Sequence, residues 1–246
     1  MLCKAAEIRG SVGSFAMRFG LQKLTLLDFP GVMACTVFTC GCNFRCPFCH
    51  NASLVTGRDA DMPFGADEVL TFLAGRKKML DGVCITGGEP LLHPEMKDFI
   101  AGVKRLGYKV KLDTNGSSPD RLREILAAGH VDYVAMDIKQ SQEKYPLACG
   151  SETVLDAVKE SVDMLKAGPV EFEFRTTVVS PLHTPDDLEA IGRWIAGAKH
   201  YYLQNFADSG DILDADGHFS AVSREILNEM LARVKPFVPD AALRGK

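Results

Sequence analysis

Residues 108–129 read YKVKLDTNGSSPDRLREILAAG, and this stretch holds one complete strand, loop and helix unit. Tyr108 to Asp113 is a short β-rich run. Ser118 is placed to cap a helix with Pro119 at its first position, Leu122, Ile125 and Leu126 share one helical face, and Gly129 stands past its end. Between run and helix lies the polar cluster Asp113-Thr114-Asn115-Gly116. The same unit recurs along the chain, with further β-rich runs at about 33–38, 82–86, 132–138, 171–179 and 201–206. Met96, Ile100 and Val103 share a helical face, as do Val154, Val158, Val162 and Leu165, while Thr184, Pro185 and Asp187 open another helix. Alternating units predict parallel strands with right-handed crossovers. Six of them suit an α/β fold built as a partial (β/α)6 barrel with outer helices better than a complete eight-stranded barrel. Ligands gather at the C-terminal ends of such strands, so the loops after the six runs should carry the chemistry.

The composition fits that reading. A chain of 246 residues, 46% hydrophobic and 24% charged, buries a substantial core without disulfides or a second domain. The formal net charge is -4 and no cluster of Lys and Arg interleaves with aromatics, so nucleic acid is not expected as a partner. No apolar run approaches about 18 residues, which predicts no membrane association and a cytoplasmic location. In that reducing compartment the eight cysteines point to metal or redox chemistry rather than to a disulfide scaffold. Residues 1–16 show no clear period, so 1–17 is read as a leader, disordered or reflecting an upstream start codon. Residues 18–246 are read as the partial barrel with a C-terminal helix.

Directly after the first run stands Cys42-Asn43-Phe44-Arg45-Cys46-Pro47-Phe48-Cys49, three thiols spaced CxxxCxxC on one loop. A 4Fe-4S cube ordinarily takes four thiolates, so three leave one iron open to a cofactor or substrate. A zinc site would want a fourth ligand such as His50, awkwardly adjacent in sequence, and buried free thiols are a further alternative. After the second run comes Thr86-Gly87-Gly88-Glu89-Pro90, whose glycines allow close backbone approach to a ligand but also suit an ordinary turn. Polar clusters end the third and fourth runs, at Asp113-Thr114-Asn115 and at Asp137-Ile138-Lys139-Gln140, where turn and capping chemistry is the bland alternative. Cys3, Cys35, Cys84 and Cys149 lack partners at metal spacing and read as packing or spare thiols, and Cys40 is the one that could compete for iron. His93, His183 and Trp194 belong to no constellation and receive no role.

The cysteine spacing with the aromatic Phe48 before the last cysteine resembles the signature of the radical S-adenosylmethionine (SAM) superfamily. That resemblance implies one 4Fe-4S cluster on Cys42, Cys46 and Cys49 as the catalytic centre, with SAM chelating the open iron and yielding a 5'-deoxyadenosyl radical on reduction. Gly87, Gly88 and Glu89 resemble the superfamily's GGEP motif, which contacts the SAM amino group, and Phe48 joins the cofactor-binding set. The Asp113 and Asp137 clusters resemble those of glycyl-radical-enzyme activases. There they imply a monovalent cation at Asp113, Thr114 and Asp137, with Asp113 and Lys139 toward SAM. Arg175 is a candidate carboxylate clamp, and Gln204 and Asn205 are candidates beside adenine. Residues 20–31 (GLQKLTLLDFPG), Ala34 to Phe38 and Cys49-His50-Asn51 resemble the longer anaerobic ribonucleoside-triphosphate reductase activating proteins. The implied partners are a glycyl radical enzyme, foremost anaerobic ribonucleotide reductase, and a flavodoxin- or ferredoxin-type electron donor. A radical SAM reaction on a peptide or small molecule, and a non-catalytic iron-sulfur or zinc binding module, stand as rivals.

Overall fold

The computed structural model describes residues 17–57, 62–208, 210–214 and 216–245. In chain order the strands are β1 (Arg18–Thr25), β2 (Ala34–Thr39), β3 (Phe64–Gly65), β4 (Gly82–Gly87), β5 (Lys109–Thr114), β6 (Tyr133–Asp137), β7 (Glu171–Val178), β8 (Tyr201–Asn205) and β9 (Ala242–Arg244). They form one sheet ordered β3-β1-β2-β4-β5-β6-β7-β8-β9. The six expected runs are β2 and β4 to β8, and they pair in parallel in sequence order. Because neighbours in the sheet follow one another in the chain, right-handed crossovers place the connecting helices on one side and let the other side curl inward. β1, which pairs antiparallel to both β2 and β3, and β9, which extends the parallel set, were not legible as strands. The expectation for residues 1–16 lies outside the described residues, and Met17 is buried at the edge of the core.

Helices α1 (Ala52–Thr56), α2 (Ala66–Ala74), α3 (Met96–Arg105), α4 (Pro119–Ala127), α5 (Tyr145–Cys149), α6 (Leu155–Ala167), α7 (Pro185–Trp194) and α8 (Arg224–Val234) fill the connections. The apolar faces read from the sequence are the buried ones: Met96, Ile100 and Val103 on α3, Leu122 and Ile125 on α4, and Val158, Val162 and Leu165 on α6. Thr184 and Asp187 form a reciprocal capping box on α7, so its start is fixed as expected. Ser118 occupies the N-cap position of α4 without a side-chain cap bond, leaving Pro119 and the backbone geometry to set that boundary.

Along each parallel strand the side chains alternate between the helices and the interior. On β5, Val110 and Leu112 join the apolar core, while Lys111 and Asp113 bond to Cys84 of β4 and Arg175 of β7 across the interior. On β7, Phe172 and Phe174 join the core while Glu173 and Arg175 face inward. Glu173 is fully buried; Tyr133 Oη donates to it at 2.9 Å and the Arg244 guanidinium clamps it bidentately at 2.5 and 2.6 Å. β9 thus brings in the counter-charge that a buried carboxylate at the base of the interior requires.

Candidate active site

At the C-terminal ends of β2 and β4 to β8 lies a cavity of about 460 Å³, lined among others by Cys42, Cys46, Cys49, Asp113, Asp137 and Arg175. That volume lies within the range of roughly 300–1,000 Å³ typical of small-molecule sites. Phe48, Gly87, Gly88, Thr114, Lys139, Gln204 and Asn205 also reach its wall. Sequence positions spread from 42 to 205 therefore meet in one place. Asn205 holds its own loop, donating to Val222 O at 2.8 Å and accepting from Val222 N at 3.0 Å.

The loop bearing the three thiols is bound on every side by backbone bonds. Arg45 N donates to Cys149 O at 2.8 Å, and Leu213 N and Asp214 N donate to Cys49 O and Pro47 O, each at 3.0 Å. Asp211 anchors the start of α1, accepting from Ser53 Oγ at 2.8 Å. Cys42 Sγ accepts from Phe44 N at 3.4 Å and from Asn115 Nδ2 at 3.7 Å. Burial pushes the Cys46 thiol up to about 12 and raises Cys42 as well, so these thiols stay protonated until a metal displaces the proton. Three convergent sulfurs on a loop fastened this way fit a three-thiolate iron-sulfur cluster with one iron left open. His50 lines the same cavity, and burial holds its imidazole below the ordinary value, so it is neutral at pH 7. Cys40 is not among the lining residues: its Sγ donates to Leu54 O at 3.4 Å, the setting of a packing thiol.

The glycines of the turn that ends β4 line the cavity and also meet a second demand, from the backbone behind them. Gly88 N donates to Thr39 O at 2.9 Å and Glu89 N to Gly41 O at 2.8 Å, so this turn packs directly on the backbone that leads into the cysteine loop. A Cβ on Gly88 would stand 2.0 Å from Gly41 O, and one on Gly87 would stand 2.3 Å from Thr39 O. Gly88→Ala should therefore displace the cysteine loop, costing about 1–3 kcal/mol as overpacking does and lowering iron loading. Gly75→Ala, where a Cβ meets nothing closer than 3.5 Å, should leave both unchanged. Thermal unfolding and iron content check this pair.

Glu89, expected at the cofactor, instead lies fully buried behind the wall. It accepts from Leu91 N at 3.0 Å, Thr114 Oγ1 at 2.8 Å and Asn115 N at 2.6 Å. It is a joint between the loops after β4 and β5. Burial pushes its carboxyl up to about 7 against those three hydrogen bonds.

The same cavity is lined by a chain of charges. Lys111 bonds Asp113 Oδ1, Arg175 Nη1 bonds Asp113 Oδ2 at 3.0 Å, Arg175 Nε bonds Asp137 Oδ1 at 2.9 Å, and Lys139 Nζ bonds Asp137 Oδ2 at 3.0 Å. Burial alone would raise both carboxyls, but Arg175 first and the lysines next hold them below the ordinary aspartate range. Burial opposes the charge on Lys139 and Arg175, yet their carboxylate partners raise both well above their ordinary values. Thr114 Oγ1 is engaged as donor to Glu89 and as acceptor from Gly116 N at 3.1 Å. Each oxygen anticipated for a monovalent cation thus already has a bonded partner among the side chains and backbone of the site.

Three residues missed in the sequence support this site. Lys111 is described above. His93 Nε2 donates to Cys40 O at 2.9 Å, and His183 Nε2 donates to Lys139 O at 2.9 Å while its Nδ1 accepts from Val179 N at 3.2 Å. Each histidine joins loops far apart in the chain, so no local pattern announces it.

Residues 36–195 match the model of the radical SAM superfamily. A Methanocaldococcus jannaschii protein provisionally named a glycyl-radical enzyme activating enzyme is 31% identical over 199 residues, which are 78% of this chain and 80% of the relative. The pyruvate formate-lyase-activating enzyme of Clostridium pasteurianum is 35% identical over 127 residues, 48% of this chain and half of that one. Among solved structures, Streptococcus suis SuiB bound to S-adenosylmethionine superposes with a TM-score of 0.65 at 14% identity, over 83% of this chain and 48% of that chain, a likeness of fold.

Proposed function

The chain belongs to the radical SAM superfamily and, within it, to the glycyl-radical enzyme activating group, and we propose that it installs a glycyl radical on anaerobic ribonucleoside-triphosphate reductase. The observation that carries the reaction is the convergence of three cysteines and the Asp113, Arg175, Asp137 and Lys139 chain on one 460 Å³ cavity. Cys42, Cys46 and Cys49 are the residues that would hold the 4Fe-4S cluster. With the cluster and SAM bound there, one electron from a flavodoxin- or ferredoxin-type donor would split SAM into methionine and a 5'-deoxyadenosyl radical, which would take a Cα hydrogen from the partner's glycine to leave 5'-deoxyadenosine and the glycyl radical.

The protein's own contribution is positional and electrostatic. Lys139 and Arg175 present positive charge suited to the SAM carboxylate. Gly87, Gly88 and Phe48 are the lining residues offered to the methionyl group, and Gln204 is the one offered to adenine, the Asn205 amide being engaged with Val222. Asn115 and the Phe44 amide donate to Cys42 and so favour its thiolate. The choice of ribonucleotide reductase as partner rests on the resemblance of residues 20–31 and of Cys49-His50-Asn51 to that set of activating proteins.

The test is anaerobic reconstitution, reduction with dithionite, and addition of SAM with purified reductase. A doublet glycyl radical signal in electron paramagnetic resonance, accompanied by stoichiometric 5'-deoxyadenosine, is the expected result. Formation of 5'-deoxyadenosine with no radical on the reductase, but a radical on another glycyl radical enzyme, would reassign the partner.

A further inference from the structure

Two carboxylates in the site, Asp113 and Asp137, face three cations, Lys111, Arg175 and Lys139, so this chain of five charges carries a net +1. All four carboxylate oxygens are bonded, and the Thr114 hydroxyl is engaged with Glu89 and Gly116. Lys111 is the unusual member. It rises from the middle of β5, its side chain is 1% exposed, and its ammonium lies between Asp113 and Cys84 Sγ, 3.9 Å from the sulfur. Strand alternation forces it onto the same interior face as Asp113, two residues on. A buried ammonium persists only where it is paired, and here its carboxylate partner is the one the site presents to its ligands. A further cation at Asp113 would meet Lys111 and Arg175 already bonded there and would add to a chain whose own charges sum to +1.

We propose that Lys111 is a built-in cation of this site, taking at Asp113 the part of a bound monovalent ion, so that SAM binding and cleavage here do not depend on monovalent salt. This rests on the radical SAM reading above. Asp113 stays ionised and fixed whatever the salt, and the net positive charge is left for the carboxylate of SAM.

The experiment compares reconstituted wild-type protein in about 0.1 M KCl and in choline chloride of equal ionic strength, where screening is the same. SAM affinity is measured by equilibrium dialysis and 5'-deoxyadenosine by chromatography. Wild type should differ less than about twofold between the salts, while Lys111→Met should bind SAM roughly tenfold more weakly in choline, as loss of a hydrogen bond to a charged group implies, and recover in KCl. Wild-type affinity and product that collapse in choline and return with KCl would overturn the proposal, whether or not Lys111→Met folds. A loaded cluster that binds SAM but yields no 5'-deoxyadenosine in either salt counts against the reaction, and the two affinities still decide on Lys111. No SAM binding in either salt overturns both.

Discussion

Cys46→Ala should lose cluster iron and all reductive 5'-deoxyadenosine formation, whereas Cys40→Ala should keep both. The two thiols stand six residues apart in sequence, yet the structure separates their roles. Cys46 is buried at the cavity wall with Cys42 and Cys49, where burial raises its thiol and the Lys139 charge opposes that rise. Its removal leaves two sulfurs, too few for a cube that must keep three irons on the protein and one open. Cys40 is not part of the cavity lining, and its Sγ donates to Leu54 O. Iron and acid-labile sulfide measured after anaerobic reconstitution, together with product from SAM and dithionite, check the pair. Wild-type iron in Cys46→Ala, or lost iron in Cys40→Ala, would mean that the three-cysteine assignment is wrong.

The sequence made the parallel half of the sheet legible because each of its strands is a short apolar run followed by a polar cluster and a helix with its own punctuation. It hid β1, whose Arg18–Thr25 carries Gly, Gln and Lys and shows no clean alternation of buried and exposed residues. That strand is held by pairing on both edges rather than by a buried face. It hid β9 because three residues carry no period, and what fixes Arg244 is a carboxylate 71 positions away. The candidate site was legible wherever function sits on consecutive residues, as in the cysteine loop and in Asp113-Thr114. Partnerships across strands were not. Nothing local distinguishes Lys111 from Lys109, two residues earlier on the same strand, yet Lys111 is buried and Lys109 is exposed. The glycines of the turn that ends β4 line the cavity and are also required by a neighbouring backbone, and both demands select the same residue.

Arg175→Met should destabilise the fold by about 3 kcal/mol, the usual effect of removing one partner from a buried ion pair, and should abolish measurable SAM binding. Its guanidinium, 15% exposed, spans from β5 to β6 with one nitrogen on Asp113 and another on Asp137. Lys111 and Lys139 remain in the variant, so neither carboxylate is left bare, but the bond between the two strand ends is gone. Arg175→Lys restores the charge without the planar fork, and should recover part of the stability and little of the binding. The pH dependence separates this from simple loss of packing. Both carboxyls lie below the ordinary aspartate value in the folded protein, so their contribution is present above about pH 4 and is lost as pH falls through the folded values. The stability gap between wild type and Arg175→Met, followed by urea unfolding, should therefore be full at neutral pH and narrow below about pH 4. A gap that stays constant over that range would assign Arg175 a packing role and remove it from the charge network that holds the site together.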